Sequence, residues 1–255
     1  DNVIFIESSE NNGFAAGNNQ ALKIAKGKYQ LLLNSDTIVW ENTLESIYYY
    51  MEKHTDVGAT GCRVLLENGD LDKACKRSFP NVKNSFFRLF HIPTKSKDDN
   101  YNLDSLPDDG VYEIDCLTGA FMFIRKEALD EVGFLDETFF MYGEDIDISY
   151  AITLSGYKNY YLPCTMLHYK GESTRYDARY MRNFYGAMQL FYQKYNGKGV
   201  VYFLLKILTK IMVLLASLRS TPRKLDDKRE AVTLSTAQYT YAQIIEFMEQ
   251  NQGEC

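Results

Sequence analysis

The chain has 255 residues, 45% of them apolar and 24% charged, with 28 Lys and Arg against 34 Asp and Glu for a net charge of −6. That is ordinary globular composition, enough for one large domain or a domain with appendages. The charge is uneven: residues 175–229 hold 12 Lys/Arg and 3 Asp/Glu, a local +9 that leaves −15 elsewhere. An acidic bulk argues against nucleic acid as a partner, while the basic segment suits an anionic membrane surface. Five cysteines (62, 75, 116, 164 and 255) include no CxxC and no metal-ligand spacing, which reads as free thiols in a reducing compartment. The start, Asp1-Asn-Val-Ile-Phe-Ile-Glu7, shows neither the basic nor the apolar region of a secretory signal. Twenty Tyr and 15 Phe fit sugar-stacking surfaces or core and interface material.

Val3 to Ile6 reads as a buried strand. In the following Glu10 to Gln20, Gly13 and Gly17 permit a tight backbone, and a helix is expected over 16–26, stopped by Gly27. Neither GxGxxG nor GK[ST] is present, so these glycines mark a plain turn as readily as a phosphate loop. Lys28 to Asp36 comes next, with a strand over 29–33 whose apolar run ends abruptly at Asn34, Ser35 and Asp36. Such a run reads as a strand buried on both faces. In α/β sheets ligands collect at the carboxyl ends of strands, which is where Asp36 stands. A carboxylate there is placed to hold a divalent cation against a phosphate, or equally to cap the helix expected over 41–53.

A strand over 57–65 completes a strand–helix alternation that predicts a parallel α/β sheet. Residues 66–110 lose that rhythm, are rich in Asn, Asp, Lys and Ser, and contain Pro80, Pro93 and Pro107. They read as a long, partly mobile excursion of the kind that covers active sites. Tyr112 to Ile124 is a strand-like run broken at Gly119, where a bulge or a close approach is expected. A helix over 126–132 ends at Gly133, and a second over 146–155 ends at Gly156. Glu144 and Asp145 precede the second, where the macrodipole favours negative charge; they serve as plain acidic caps or as site carboxylates. A strand over 157–167 delivers His168 at its carboxyl end.

With these runs assembled, the chain resembles the GT-A family 2 glycosyltransferases, in particular their rhamnosyltransferase-like branch. The resemblance rests on five collinear stretches: Asn12 to Asn19, Gly27 to Asp36, Thr118 to Arg125, Gly133 to Asp147, and Leu162-Pro163 through His168. It implies a GT-A, Rossmann-like α/β fold with a mostly parallel sheet and helices on both faces. It also implies a domain over 1–195, followed by C-terminal helices and tail over 196–255. Relatives begin with a further strand, helix and strand carrying an Asp that grips the nucleotide base, so the fold is expected to be N-terminally incomplete.

Residue by residue, Asn34-Ser35-Asp36 takes the place of the family's DxD-like motif, with Asn34 at the first acidic position. Asp36 resembles the ligand of a Mg²⁺ or Mn²⁺, and His168 a histidine that completes that metal site. Asp145, with Glu144 beside it, resembles the catalytic base. Asn18, Asn34, Ser35, Thr118, Gly119 and Ala120 resemble the donor and acceptor walls. The implied reaction is an inverting single displacement from a nucleotide-sugar donor onto a saccharide or lipid-linked acceptor in cell-surface polysaccharide synthesis. There the base takes the acceptor's proton and the cation neutralises the leaving diphosphate. The alternative is a catalytically silent, truncated relative that binds a glycan or a partner protein.

At the end of the matched region Tyr180 to Tyr195 is aromatic and basic, and beyond it Val200 to Leu218 is the most apolar run. As a helix the latter spans about 28 Å. Lys206 and Lys210 each cost about 2.5–3.5 kcal/mol in a membrane centre, against a return of about 0.3–0.6 kcal/mol for each Val, Leu, Ile or Phe. Insertion is near balance, and an interfacial orientation keeps both lysines wet because i and i+4 share a face. A spanning helix and a buried homodimer helix are the alternatives. A short amphipathic helix over 239–248 and a loose end follow. The expected placement is cytoplasmic, peripheral on the inner face of the membrane, which is contacted through 196–224.

Overall fold

The computed structural model describes residues 3–80, 101–169, 178–218 and 238–250. In chain order the elements are α1 (Gly13–Leu22), β1 (Tyr29–Leu33), β2 (Thr37–Val39), α2 (Thr43–Lys53), β3 (Val57–Leu66), a 3₁₀ turn (Lys73–Cys75), β4 (Tyr112–Glu113), β5 (Phe121–Arg125), α3 (Lys126–Val132), α4 (Glu144–Leu154), β6 (Lys158–His168), α5 (Ala178–Asn196), α6 (Val200–Leu218) and α7 (Tyr241–Gln250). Two compact units divide the chain. A helical unit comprises Asp1–Lys26, Phe134–Ile148 and Gly171–Asp226, and a sheet unit comprises Gly27–Gly133, Ser149–Lys170 and Asp227–Cys255.

The sheet unit is built on strands in the order β1-β5-β3-β6-β2, with β4 also paired to β6. Alternation is absent from β3, whose residues are nearly all buried, as expected of a strand covered on both faces. In α2, Thr43, Ile47 and Met51 recur every four residues and form its buried stripe. Buried Arg125, at the end of β5, donates to the carbonyls of Val57 (2.9 Å), Met51 (2.7 Å) and His54 (3.0 Å). One guanidinium thus ties together the end of α2 and the start of β3 while its buried N–H groups find hydrogen-bond acceptors. In α7, Ile245 packs with Leu65 and Leu167, and the Glu41 carboxylate accepts from the amides of Tyr241 (2.8 Å) and Ala242 (3.2 Å), capping that helix.

Several expectations are corrected here. The sheet is not mostly parallel: β3–β6 is a parallel ladder, while β1–β5, β3–β5, β2–β6 and β4–β6 are antiparallel. Burial on both faces sets the apolar run but not the direction, and β5 enters between β1 and β3 against both. Tyr112 to Ile124 is not one strand. It forms two short pieces separated by residues 114–120. Val3 to Ile6 is no buried strand; Val3 and Phe5 are 86% and 85% exposed, and no described strand pairs with them. An apolar run becomes a strand only where a partner's backbone accepts it. Strand β2 was not anticipated, and it removes the helix-cap reading of Asp36, because α2 starts seven residues later with Asn42 at its N-cap.

The excursion over 66–110 is anchored at both described ends. Buried Lys76 donates to the Leu106 carbonyl (2.7 Å) and to Asp108 (2.5 Å), and the Ser78 amide donates to the Tyr101 carbonyl (2.9 Å). Its middle, residues 81–100, lies outside the described residues, as does that part of the expected cover. The helical unit opens on Gly13 at φ +89°, where a Cβ would lie 2.1 Å from the Phe140 carbonyl oxygen, so only glycine admits the Phe14 amide to that oxygen at 3.0 Å. Buried Asn19 then donates to the Leu135 carbonyl (2.8 Å) and accepts from the Leu135 amide (3.1 Å), pinning α1 to the stretch before α4.

Candidate active site

In the sheet unit, the turn Asn34-Ser35-Asp36 joins β1 to β2 and is pinned throughout. The Asn34 amide donates to the Ala120 carbonyl (3.1 Å), Thr37 Oγ1 to the Asn34 carbonyl (2.8 Å), and the Tyr169 amide to the Asp36 carbonyl (3.0 Å). Because β2 and β6 pair in the register Thr37↔His168, Asp36 is delivered beside His168. Its Oδ1 lies 3.3 Å from His168 Nε2, and the Asn34 Nδ2 lies 3.3 Å from the same nitrogen. The imidazole is buried while the carboxylate is 42% exposed, and Ser35 is exposed. One carboxylate and one imidazole are therefore presented together from residues 132 positions apart.

Thr118, Gly119 and Ala120 are buried, directly ahead of β5. They are supported by residues the sequence did not point to. The Leu117 carbonyl accepts from the Arg77 guanidinium and the Leu117 amide donates to Ser149 Oγ (3.2 Å). Buried Asn159 donates to the carbonyls of Ser149 and Asp115, both at 2.9 Å. Asn159, a polar residue just ahead of Tyr160-Tyr161-Leu162 in β6, was the available signal of this support.

In the helical unit, Glu144 and Asp145 open α4 and lie within its first turn rather than before it. The two residues ahead of them both take left-handed backbone, Tyr142 at φ 69° and Gly143 at φ 87°. For a tyrosine that conformation is strained, and it is held by the ring, which meets Tyr180 edge-on at 5.4 Å and Phe184 at 6.3 Å. Asp145 Oδ1 accepts from the Ile146 amide at 2.9 Å, and Glu144 is buried. Behind the pair, the buried Asp147 carboxylate accepts from Lys194 Nζ (2.9 Å) and Tyr195 OH (2.9 Å), and Lys194 also reaches Asp136 (2.8 Å). Burial works against the Lys194 ammonium, but hydrogen bonds to Asp136 and Asp147 outweigh it and raise its pKa. Burial likewise opposes the Asp136 carboxylate, yet hydrogen bonds from Lys194 and Thr138 hold it below its ordinary value. Burial first, then its bond to Asp147, pushes the Tyr195 phenol up. Asn18 donates to the Phe14 carbonyl one turn back (2.9 Å), so its amide nitrogen is engaged within α1.

The geometry thus joins Asp36, His168, Asn34 and the Thr118–Ala120 stretch in the sheet unit, and gathers Glu144 and Asp145 at one turn of the helical unit. Asp36 and His168 have the donor chemistry of a divalent-cation site, an oxygen and an imidazole nitrogen. No set of three His, Cys, Asp or Glu among the described residues could share a metal. A cation held here would take its remaining ligands from a bound diphosphate and water, the usual manner of Mg²⁺.

The fold is that of the GT-A enzymes. The crystal structure of GalNAc-T7 with UDP, GalNAc and Mn²⁺ superposes with a TM-score of 0.50 at 15% identity, over 80% of this chain and 42% of that one. By sequence, the rhamnosyltransferase WbbL of Escherichia coli is 29% identical over 174 residues, 64% of this chain and 63% of that protein. The poly-beta-1,6-N-acetyl-D-glucosamine synthase of Staphylococcus aureus is 27% identical over 165 residues, 64% of this chain and 35% of that protein. The chain therefore spans less than two thirds of these relatives' length. The profile described as Glycosyl transferase family group 2 matches residues 30–225, well over half of the chain. The chain belongs to that family of glycosyltransferases.

Proposed function

We propose that this chain carries out an inverting glycosyl transfer, moving a sugar from a nucleotide-sugar donor to a saccharide or lipid-linked acceptor in cell-surface polysaccharide synthesis. Rhamnose is the first candidate for the sugar, supported by the likeness to a rhamnosyltransferase. The observation that carries the reading is the approach of Asp36 to His168 at 3.3 Å, produced by strand register at the carboxyl ends of β1 and β6. These two residues would hold Mg²⁺ or Mn²⁺, which when bound supplies charge neutralisation for a departing diphosphate. Asn34, Ser35 and the Thr118–Ala120 wall bind and orient the donor, and Asp145 accepts the proton of the attacking hydroxyl, with Glu144 beside it.

Keeping base and metal ligand as separate groups matters, because a carboxylate bound to a cation loses basicity. As part of the same proposal we put the protein on the cytoplasmic side, peripheral on the inner face of the membrane, where a lipid-linked acceptor would be within reach. A panel of nucleotide sugars, with Mn²⁺ supplied and removed by chelation, tests the reading by thermal shift and by transfer. Asp145→Asn is expected to cut turnover about 10²–10⁴-fold while donor binding stays intact, and retained turnover removes Asp145 from the role. Asp36→Ala is expected to abolish metal-dependent donor binding by calorimetry; unchanged binding removes Asp36 from the metal site.

A further inference from the structure

Helices α5 and α6 pack side by side within the helical unit, with Gln189 of α5 bonded to Thr209 of α6. On the side of α6 away from Thr209, Val200, Phe203, Leu204, Ile207 and Ile211 remain 47–77% exposed. Their spacing of i, i+3, i+4, i+7 and i+11 forms one continuous stripe along three turns of the helix. Lys206 and Lys210 are exposed along one flank of that stripe. An apolar strip of this length left open is a docking surface rather than a scatter of surface residues.

We propose that this stripe docks the protein flat onto an anionic lipid surface, with α6 lying in the interface and Lys206 and Lys210 reaching up to the headgroup phosphates. The inference rests on the reading above that the acceptor side of the reaction faces a membrane, and it assigns the contact to named residues. Two observations favour a bilayer over other occupants. The stripe sits in the strongly basic segment 175–229, with 12 Lys/Arg against 3 Asp/Glu, which complements anionic lipid. A helix with one apolar face and a lysine flank is the form that lies in the interface.

The full chain is tested by co-flotation with phosphatidylcholine vesicles, with and without phosphatidylglycerol, while nucleotide-sugar hydrolysis is followed on the same protein. Binding is expected only with the anionic lipid and is expected to weaken with salt. Phe203→Glu and Ile207→Glu are each expected to weaken it at least about ten-fold, and Lys206→Gln with Lys210→Gln about thirty-fold. All four side chains are exposed, so circular dichroism of the variants should match the parent. Absent binding, equal binding to neutral vesicles, or binding indifferent to the stripe variants overturns the proposal. A concentration-dependent dimer dissolved by Ile207→Glu, without flotation, also overturns it and gives the stripe to a second copy. Loss of flotation with hydrolysis retained in the stripe variants supports the docking surface. Flotation without hydrolysis in the parent leaves docking standing and counts against the proposed reaction alone.

Discussion

The Asp36 corner of the sheet unit and the Glu144–Asp145 turn of the helical unit place the same chemical group by opposite means. Asp36 is positioned by register: each ladder bond between β2 and β6 repeats the same instruction, and the Asn34, Thr37 and Tyr169 backbone bonds add to it. Asp145 is positioned by a strained turn, two successive left-handed residues locked by the Tyr142 ring and backed by the Lys194–Asp147 pair. Redundant bonds tolerate the loss of one member. A strained turn depends on each of its restraints, because the conformation it holds is uphill by itself.

The contrast is broken most directly at Gly143. A β-carbon there would lie 2.9 Å from Ala187 Cβ and 3.0 Å from the Phe139 ring, on backbone at φ +87°. Gly143→Val is expected to cost about 3 kcal/mol or more. Hydrogen exchange should show protection lost first in the opening turn of α4 while β2 and β6 keep theirs; simultaneous loss in both would erase the distinction. Next in size is Lys194→Met, which leaves the 4%-exposed Asp147 carboxylate without its cation. Breaking a buried pair costs about 3–5 kcal/mol. The half-open Lys194, at 38% exposure, brings the expectation down to about 2 kcal/mol by thermal denaturation. A change indistinguishable from zero would show that the clamp contributes nothing to the turn.

The smallest effect sharpens the comparison through pH. In the sheet unit, burial raises the Asp115 carboxyl despite its bond from the Phe79 amide. A raised folded pKa means ionisation costs stability as pH rises through that value, and the cost disappears below the unfolded value of about 3.9. In the helical unit, Asp136 is depressed by Lys194 and Thr138. It therefore contributes stability above about pH 3.9 that is lost as pH falls through the folded value. Asp115→Asn should raise the melting temperature at pH 7 and do so less at pH 4, whereas Asp136→Asn should lower it at pH 7. Shifts of the same sign at pH 7 would contradict the assignment.

Much of this protein was legible in its residues. The apolar runs at 29–33, 57–65 and 157–167 became strands close to their expected bounds, and the helices over 41–53, 126–132 and 200–218 formed with small shifts at their ends, because periodicity and turn residues act locally. Family membership was legible too, since five collinear stretches survive without any knowledge of contacts. Candidate residues could be named by their place at strand and helix ends, and the resemblance paired Asp36 with His168, but the strand register and backbone bonds that hold them there could not be read.

What only the tertiary structure decided was direction and adjacency. Strand β5 runs against β1 and β3, and the three-residue β2, too short to give a pattern of its own, pairs with the end of β6 and thereby brings Asp36 to His168. Val3 to Ile6 has the composition of a strand and no described partner. In each case the deciding quantity is a hydrogen bond or a contact between residues distant in the chain. The residues of one segment carry its propensity but not the identity of the backbone that will meet it.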